Sequence, residues 1–184
     1  GKIEEKMGIH GSETAELIFE DCRVPKENLI GKEGQGFKIA MTALDGARIG
    51  VAAQALGIAE RAFQESVKYM KERVQFGKPI AALQGLQWYI SDMTVKIECA
   101  RWMIFRAAWL KISGQPYTKE AAIAKLNASE TATFVANLAL QIHGGYGYMK
   151  DYPLERMYRD AKITEIYEGT SEIHKVVIAR AALR

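Results

Sequence analysis

Three glutamates lie close together near the end of the chain, at Glu165, Glu168 and Glu172, in a segment that also carries Gly169 and two hydroxyl side chains. The glycine predicts a break between two helices. A carboxylate at such a break can turn away from solvent into a cavity, where burial makes it a better proton acceptor. These residue types and their spacing therefore suggest proton abstraction by a general base.

The three glutamates are not equivalent candidates for this role. Glu172 follows Ser171 closely enough to lie in the first turn of the last helix, where a carboxylate suits the helix dipole. Glu168 directly precedes Gly169, outside regular helix, and is the best candidate for an inward-facing base. The residues alone leave open the alternative that all three are solvated or capping side chains.

Other charged and glycine positions could hold an anionic ligand, but each has a simpler structural explanation. Asp45 and Arg48 are three residues apart on one helical face, and an ion pair facing water would account for both. Arg73 stands at a helix end, where a cation suits the C-terminal dipole. The pair Gly144-Gly145 would simply end a helix.

Neither the histidines nor the cysteines form a catalytic or metal-binding pattern. His143 and His174 have no partner at metal or triad spacing and are interpreted as structural. Cys22 and Cys99 are isolated thiols, which we expect to be buried small apolar side chains in a reducing compartment. No metal site is predicted.

The composition is that of an ordinary globular protein, with 48% hydrophobic and 26% charged residues among 184. A net charge of +3 without a Lys/Arg cluster argues against nucleic-acid binding. No apolar run is long enough to span a membrane. The chain starts without Met and in mid-pattern, which favours a piece of a larger protein.

The elements that must position these side chains are predicted to be mainly helical. Residues 1–35 differ, because alternation over 14–20 predicts a strand; we interpret them as a remnant of a middle β domain and a linker. A lone strand should be poorly ordered or paired with a neighbour.

Residues 36–184 are predicted to form a C-terminal helical-bundle domain. Its helices are expected over about 37–71, 83–112, 119–143, 154–163 and from about 171, with Thr118 as an N-cap. The predicted fold class is all-α, an antiparallel four-helix-type bundle of long helices with a shorter C-terminal helix, preceded by a remnant β-strand segment.

Two patterns predict how the helices pack. The first helix has a face of small residues, which would allow close approach of another helix or of a ligand: Ala43, Gly46, Ala47, Gly50, Ala53 and Gly57. The second helix has a seam typical of a bundle, namely Leu83, Leu86, Ile90, Met93, Ile97, Ala100, Ile104 and Ala107. It also has a second apolar stripe: Trp88, Val95, Trp102 and Trp109. Two apolar stripes predict burial on two sides, in the core or in the core plus a subunit interface.

Motifs along nearly the whole chain resemble those of the acyl-CoA dehydrogenases. Each is weak alone, but their order makes a chance match improbable. They are Lys6-Met7-Gly8-Ile9, Phe19-Glu20-Asp21, Val24-Pro25-Lys26-Glu27-Asn28-Leu29, Gly34-Gln35-Gly36-Phe37, Leu44-Asp45-Gly46-Ala47-Arg48, Arg73-Val74-Gln75-Phe76-Gly77-Lys78-Pro79-Ile80, Gln141-Ile142-His143-Gly144-Gly145 and the segment from Arg159 to Glu172.

The resemblance implies a role for each matched residue. Glu168 would remove the substrate α-proton while a hydride leaves the β-carbon for flavin N5 of FAD. The residues implied near the acyl-CoA substrate are Asp45 and Arg48 at its CoA part, Gly169 at the thioester and Arg180 near the CoA end. Those implied to bind FAD are Arg73 at the pyrophosphate, Phe76 and Gln84 near the adenine, Gln141, Gly144 and Gly145 towards the FAD of a neighbouring subunit, and Thr170 and Glu172.

The resemblance also implies a subclass and partners. In long-chain and isovaleryl-type relatives the base lies beside the arginine of the first helix, where this chain has Ala47; the pattern is therefore that of short- and medium-chain members, most like butyryl-type enzymes of fatty acid β-oxidation. The implied partners are an electron-transfer flavoprotein and further copies of the chain, in a dimer or tetramer. The implied compartment is the cytoplasm in a bacterium or the mitochondrial matrix in a eukaryote. The 184 residues alone are expected to be inactive; the alternatives are a helical oligomerisation module without activity, or an acyl-CoA oxidase.

Overall fold

A computed structural model of the protein describes residues 1–184 and confirms the predicted helical bundle. Its five helices are α1 (Gly36–Glu72), α2 (Gln84–Ile112), α3 (Thr118–His143), α4 (Leu154–Ile163) and α5 (Ser171–Ala182). Three short 3-10 turns lie at Lys26–Asn28, Ile80–Ala82 and Gly144–Tyr148. None of the helices combines the length and apolar content that crossing a membrane requires.

A two-stranded hairpin that the sequence did not predict connects α1 to α2. Its strands are β1 (Val74–Gln75) and β2 (Lys78–Pro79), which pair antiparallel. Phe76 and Gly77 form the two-residue turn with φ of 53° and 78°, the left-handed conformation that matches the twist of paired strands. Phenylalanine rarely adopts that conformation, so the turn gives no ordinary sequence signal.

Helix α3 is the centre of the bundle, because α1, α2, α4 and α5 all pack against it. Alanines of α1 and α3 contribute to the shared core, where small side chains let backbones approach closely. They are Ala52, Ala55, Ala59 and Ala62 of α1 and Ala124, Ala128, Ala132, Ala136 and Ala139 of α3. The predicted seam of α2 is also confirmed, since Met93, Ile97, Ala100, Ile104 and Ala107 are buried in the same core.

The small-residue face of α1 is not the face that packs against α3, and close approach of a ligand to it stays a prediction. The face that packs against α3 carries Ala52 and Ala55, whereas Ala47, Gly50 and Gly57 are exposed. A Cβ added at Gly50 or Gly57 would meet no atom within 4 Å. The small-residue face is therefore open at Gly50 and Gly57, whereas Gly46 lies close to Lys111 of α2.

The second stripe of α2 is not part of this chain's core, which corrects that prediction. Trp88, Val95, Trp102 and Trp109 are 59–67% exposed. Four such side chains along one helix are unusual for a surface that faces only water.

The N-terminal segment has less regular structure than predicted. In place of a strand over 14–20, Ala15 makes an isolated antiparallel bridge to Ile3, because no further strand is present to extend the ladder. The segment is anchored on α4, where the Ile9 amide donates to Asp160 Oδ1 at 2.6 Å. Cys22 and Cys99 are exposed, so the prediction that they are buried is wrong.

Candidate active site

The three glutamates that follow α4 have distinct environments, and two of them are already paired. Glu165 accepts hydrogen bonds from Thr133 of α3 and from Lys162. Burial would raise the pKa of Glu165, but these two bonds and the charges of Lys162 and Lys125 together outweigh it and hold the pKa below its usual range. The pKa of Glu172 is lowered by its own backbone amide and by the Thr170 hydroxyl at the start of α5.

Glu168 differs from both because its Oε2 is buried and has no hydrogen-bond partner. Its backbone has φ of 56°, and Gly169 follows with φ of 103°. A glutamate in the left-handed region costs conformational free energy, which the surrounding structure must offset. Such a conformation, held by a fold that leaves one carboxylate oxygen unpaired, is typical of functional sites.

A buried lysine, which the sequence analysis missed, lies beneath this turn. Lys125 of α3 has no exposed surface, and its Nζ donates to the carbonyl oxygen of Gly169 at 2.7 Å. Burial lowers the pKa of Lys125 to about 8, although the charge of Glu165 opposes this. The available signal was its position on α3, where it shares the inward face with Ala121 and Ala128.

Asp45 and Arg48 form the expected ion pair, but the pair does not face water. Arg48 Nη1 donates to Asp45 Oδ1 at 2.6 Å, and Arg48 is only 6% exposed. The Thr118 hydroxyl donates to Asp45 Oδ2 at 2.6 Å, so the carboxylate also ties α1 to the start of α3. The prediction that Thr118 is the N-cap of α3 is wrong, because Thr118 is the first residue of the helix and Tyr117 is its N-cap. Arg48 Nε remains buried without a partner.

Arg180 lies on α5 beside the same end of the bundle. It lines an open cleft of about 660 Å³ together with Thr118 and Glu120. Since Thr118 also contacts Asp45, the cleft adjoins the Asp45–Arg48 pair. The predicted substrate residues Asp45, Arg48, Gly169 and Arg180 therefore lie at one end of the molecule, with Glu168.

Most of the residues predicted to bind FAD lie elsewhere, around an open cavity of about 610 Å³. Arg73, Phe76, Gly144 and Gly145 line it, and the Arg73 guanidinium lies 5.5 Å from the centre of the Tyr146 ring. Phe76 is 89% exposed at the tip of the hairpin.

The ends of α2 and α3 border this cavity. Gln84 begins α2 and Gln141 lies in the last turn of α3, both exposed outside the cavity lining. Gly144 has φ of 59°, and its amide donates to the Gln141 carbonyl, so it ends α3 as predicted. A Cβ on Gly144 or Gly145 would meet no atom within 4 Å, which leaves the backbone open to a ligand.

The two groups of predicted residues lie at opposite ends of α3. Lys125 contacts the Glu168–Gly169 turn, and His143 lines the cavity with Arg73. Residues 125 and 143 of one helix are separated by about 27 Å at a rise of 1.5 Å per residue. Of the predicted FAD residues, only Thr170 and Glu172 lie at the Glu168 end.

The two histidines interpreted as structural differ in their surroundings. His143 Nδ1 lies 2.8 Å from the Ala139 carbonyl oxygen, and its ring stacks on Tyr69 at 4.1 Å between centroids. His174 has no exposed surface and neither ring nitrogen has a partner. A Cβ on Gly169 would lie 3.2 Å from His174 Cε1, so the ring packs directly against the Glu168–Gly169 turn.

Acidification should destabilise the protein through His174. Burial, then the charges of Lys125 and Arg48, lower the pKa of His174 to about 4. An unfolded histidine titrates near pH 6.5, so the unfolded chain binds more protons between these values and stability is lost as the pH falls through this window. Between pH 7.5 and pH 5 the free energy of unfolding of His174→Gln should fall by about 2 kcal/mol less than that of the wild type. Urea unfolding of the wild-type and variant chains at both pH values measures this difference.

His10→Gln is the matched control, because His10 is exposed. It should show the same acid loss as the wild type. His143, whose pKa burial also lowers, should account for part of the loss that remains in His174→Gln. An unchanged acid loss in His174→Gln would contradict the prediction.

Comparison with known proteins identifies relatives along the whole chain. Residues 34–183 match the family model described as acyl-CoA dehydrogenase, C-terminal domain. The chain is 75% identical over its full length to acryloyl-CoA reductase (NADH) of Anaerotignum propionicum, of which it covers 47%. The chain thus spans about half the length of the curated relatives it matches.

Two solved structures share the fold closely. A chain in the structure of the electron transferring flavoprotein of Acidaminococcus fermentans, a study of flavin-based electron bifurcation, superposes with a TM-score of 0.99 and 62% identity. Butyryl-CoA dehydrogenase from Megasphaera elsdenii superposes with a TM-score of 0.99 and 56% identity. All of this chain and 48% of each of those chains are covered.

Proposed function

Because the chain belongs to the acyl-CoA dehydrogenase family, of which it matches the C-terminal domain, we propose that it serves the α,β-dehydrogenation of short-chain acyl-CoA thioesters. Glu168 is the base: its carboxylate takes the α-proton as the α-C–H bond breaks. The observation that carries this assignment is the buried Glu168 Oε2, which has no partner, while Glu165 is paired within the protein. FAD, when bound, supplies the acceptor for the β-hydride at flavin N5.

The substrate end of the proposal depends on the charges around the Asp45–Arg48 pair. Arg48 is buried with one unpaired nitrogen, and Arg180 lines the adjoining cleft. Two guanidinium groups near one cleft suit the phosphates of CoA. Gly169, beside the base, would then line the thioester. The open small-residue face of α1 adds room for a flat ligand at Gly50.

FAD is proposed to bind at both ends of the bundle, in two different subunits. Thr170 and Glu172 lie beside Glu168 and would contact the flavin of the same subunit. Arg73, Phe76, Gln84, Gln141, Gly144 and Gly145 would contact the FAD of a neighbouring subunit. The separation of about 27 Å along α3 supports this division, since the two sets are too far apart to surround one ring system.

The requirement for a neighbouring subunit fits the exposed stripe of α2. We place Trp88, Val95, Trp102 and Trp109 at an interface between copies of the chain, in a dimer or tetramer.

An electron-transfer flavoprotein is the proposed electron partner, in the cytoplasm of a bacterium or the mitochondrial matrix of a eukaryote. These 184 residues alone are proposed to be a helical assembly module without activity, because both ligand sites are open in them. Turnover by these residues, or a flavin bound to them after purification, would contradict this.

A second candidate is the same chemistry run in reverse, as reduction of a short enoyl-CoA. It is favoured by the 75% identity to a relative named acryloyl-CoA reductase (NADH). The residues named above would serve both directions, because Glu168 as the acid returns to the α-carbon the proton that it takes as the base. An acyl-CoA oxidase would use the same residues with oxygen as the acceptor.

The complete, FAD-loaded protein should be bleached anaerobically by butyryl-CoA, and more slowly by octanoyl- or branched acyl-CoA. Flavin absorbance reports substrate oxidation directly, since the hydride arrives at the flavin. Failure of all acyl-CoAs to bleach it would contradict dehydrogenation. Oxidation of NADH with acryloyl-CoA and electron-transfer flavoprotein, in the absence of bleaching by saturated substrates, would favour the reductase; peroxide formed during turnover in air would favour the oxidase.

A further inference from the structure

We propose that Lys125 is a positioning residue for the base, which fixes the Glu168–Gly169 turn through its hydrogen bond to the Gly169 carbonyl oxygen. The proposal rests on the function proposed for Glu168. Lys125 lies on α3, more than 40 residues before the turn, and no motif in the sequence pointed to it.

The first argument is the cost of burying an ammonium group. Lysine is among the side chains least often buried completely, because the charge must leave water. Lys125 has no exposed surface, and the Gly169 carbonyl is its hydrogen-bond acceptor, at 2.7 Å. An apolar side chain of similar length, such as methionine, would fill the same space without this cost. What the ammonium adds is its charge and its hydrogen bond.

The second argument is what the bond holds. Glu168 has a positive φ, which is conformationally costly for a residue with a side chain, so the turn needs fixed partners. The Gly169 carbonyl belongs to the peptide unit that joins Gly169 to Thr170, the residue that caps α5. A charge-assisted bond to this carbonyl fixes the second peptide after the base, between Gly169 and the start of α5.

The third argument is the charge distribution around Lys125. From the segment after α4 it faces Glu165 and Glu168, and from the start of α5 it faces Glu172 and His174. From α1 it faces Arg48, which opposes its charge. Its ammonium is therefore set among carboxylates on both sides of the Glu168–Gly169 turn, which favours its staying beside that turn.

The test uses the complete, FAD-loaded protein and the variant Lys125→Met, which keeps length and packing without the charge. We expect kcat for butyryl-CoA to fall roughly 10- to 100-fold with KM changed less than about threefold, since the loss is one of alignment and not of substrate binding. Lys125→Gln, which still donates a hydrogen bond, should recover part of kcat.

The wild-type rate should fall above about pH 8, where the amine loses its charge and its hydrogen bond weakens. Lys125→Gln should not show this fall at high pH.

Lys162→Met is the matched control, since Lys162 bonds the neighbouring Glu165 without touching the turn. It should change kcat by less than about threefold, because surface ion pairs contribute little. Equal losses in both lysine variants, or a Lys125→Met kcat within twofold of wild type, would overturn the proposal.

Hydrogen–deuterium exchange separates this proposal from the proposed function. Peptides covering residues 164–172 should exchange faster in Lys125→Met than in wild type or Lys162→Met, whatever the activity. If the wild type bleaches with no acyl-CoA but this acceleration is seen, the proposed function fails and the positioning of the turn stands. Unchanged exchange in Lys125→Met overturns the positioning role even in an active enzyme.

Discussion

Glu168→Gln in the complete protein should lower turnover of butyryl-CoA by about 10⁴-fold while leaving FAD bound, because an amide cannot accept the α-proton. The substitution is nearly isosteric, and Glu168 Oε2 makes no hydrogen bond that the fold would lose. Stopped-flow flavin bleaching measures the effect directly. The visible spectrum and the urea midpoint of the variant should match those of the wild type.

Glu165→Gln is the informative comparison, since it removes a charge three residues away. Its carboxylate pairs with Lys162 and Thr133, so the expected result is lower stability with activity reduced less than tenfold. Full activity in Glu168→Gln would refute the assignment of the base. A greater loss in Glu165→Gln than in Glu168→Gln would transfer the role to Glu165.

Helix periodicity predicted which side of α2 is buried, and a glycine predicted where α3 ends. Met93 and Ile97 lie in the core as their spacing required, and Gly144 has the positive φ with which it ends α3. Periodicity does not say what covers a face, however. Trp102 and Gly50 belong to patterns that signal contact, and both are open in this chain.

The candidate site was also predicted only in part, because the sequence carries local signals and not tertiary contacts. Glu168 was ranked first because Gly169 marks a break in the helix, a local signal. Lys125 was missed, and His174 was interpreted only as structural, because their contacts with that break are tertiary and neither spacing nor composition encodes them. A lysine on the alanine-lined face of α3 was the visible anomaly, since buried lysines require a partner.

Arg73→Ala in the complete protein should weaken FAD binding by roughly 10- to 100-fold, the loss expected for one hydrogen-bonded charge at a phosphate. Arg73 lies just beyond the end of α1, where the Tyr146 ring lies within reach of its guanidinium and the Phe76 side chain projects from the hairpin. Flavin retained after dialysis, measured by absorbance, reports the change. Lys68→Ala, on the last turns of the same helix, is the control that should retain FAD.

Mixed oligomers of Arg73→Ala and Glu168→Gln subunits test whether this arginine serves a neighbour. Each variant alone should be nearly inactive at limiting FAD. In a mixed dimer the Arg73→Ala subunit keeps its Glu168 and receives an intact Arg73 from its partner, so one complete site forms. Co-expression should therefore restore about a quarter of wild-type turnover, because half of the dimers are mixed and each has one good site. If Arg73 acted within its own subunit, no site in the mixture would be complete, and activity would stay at the level of the separate variants. Recovery would thus place the two ends of α3 in two different active sites, as their separation of about 27 Å favours.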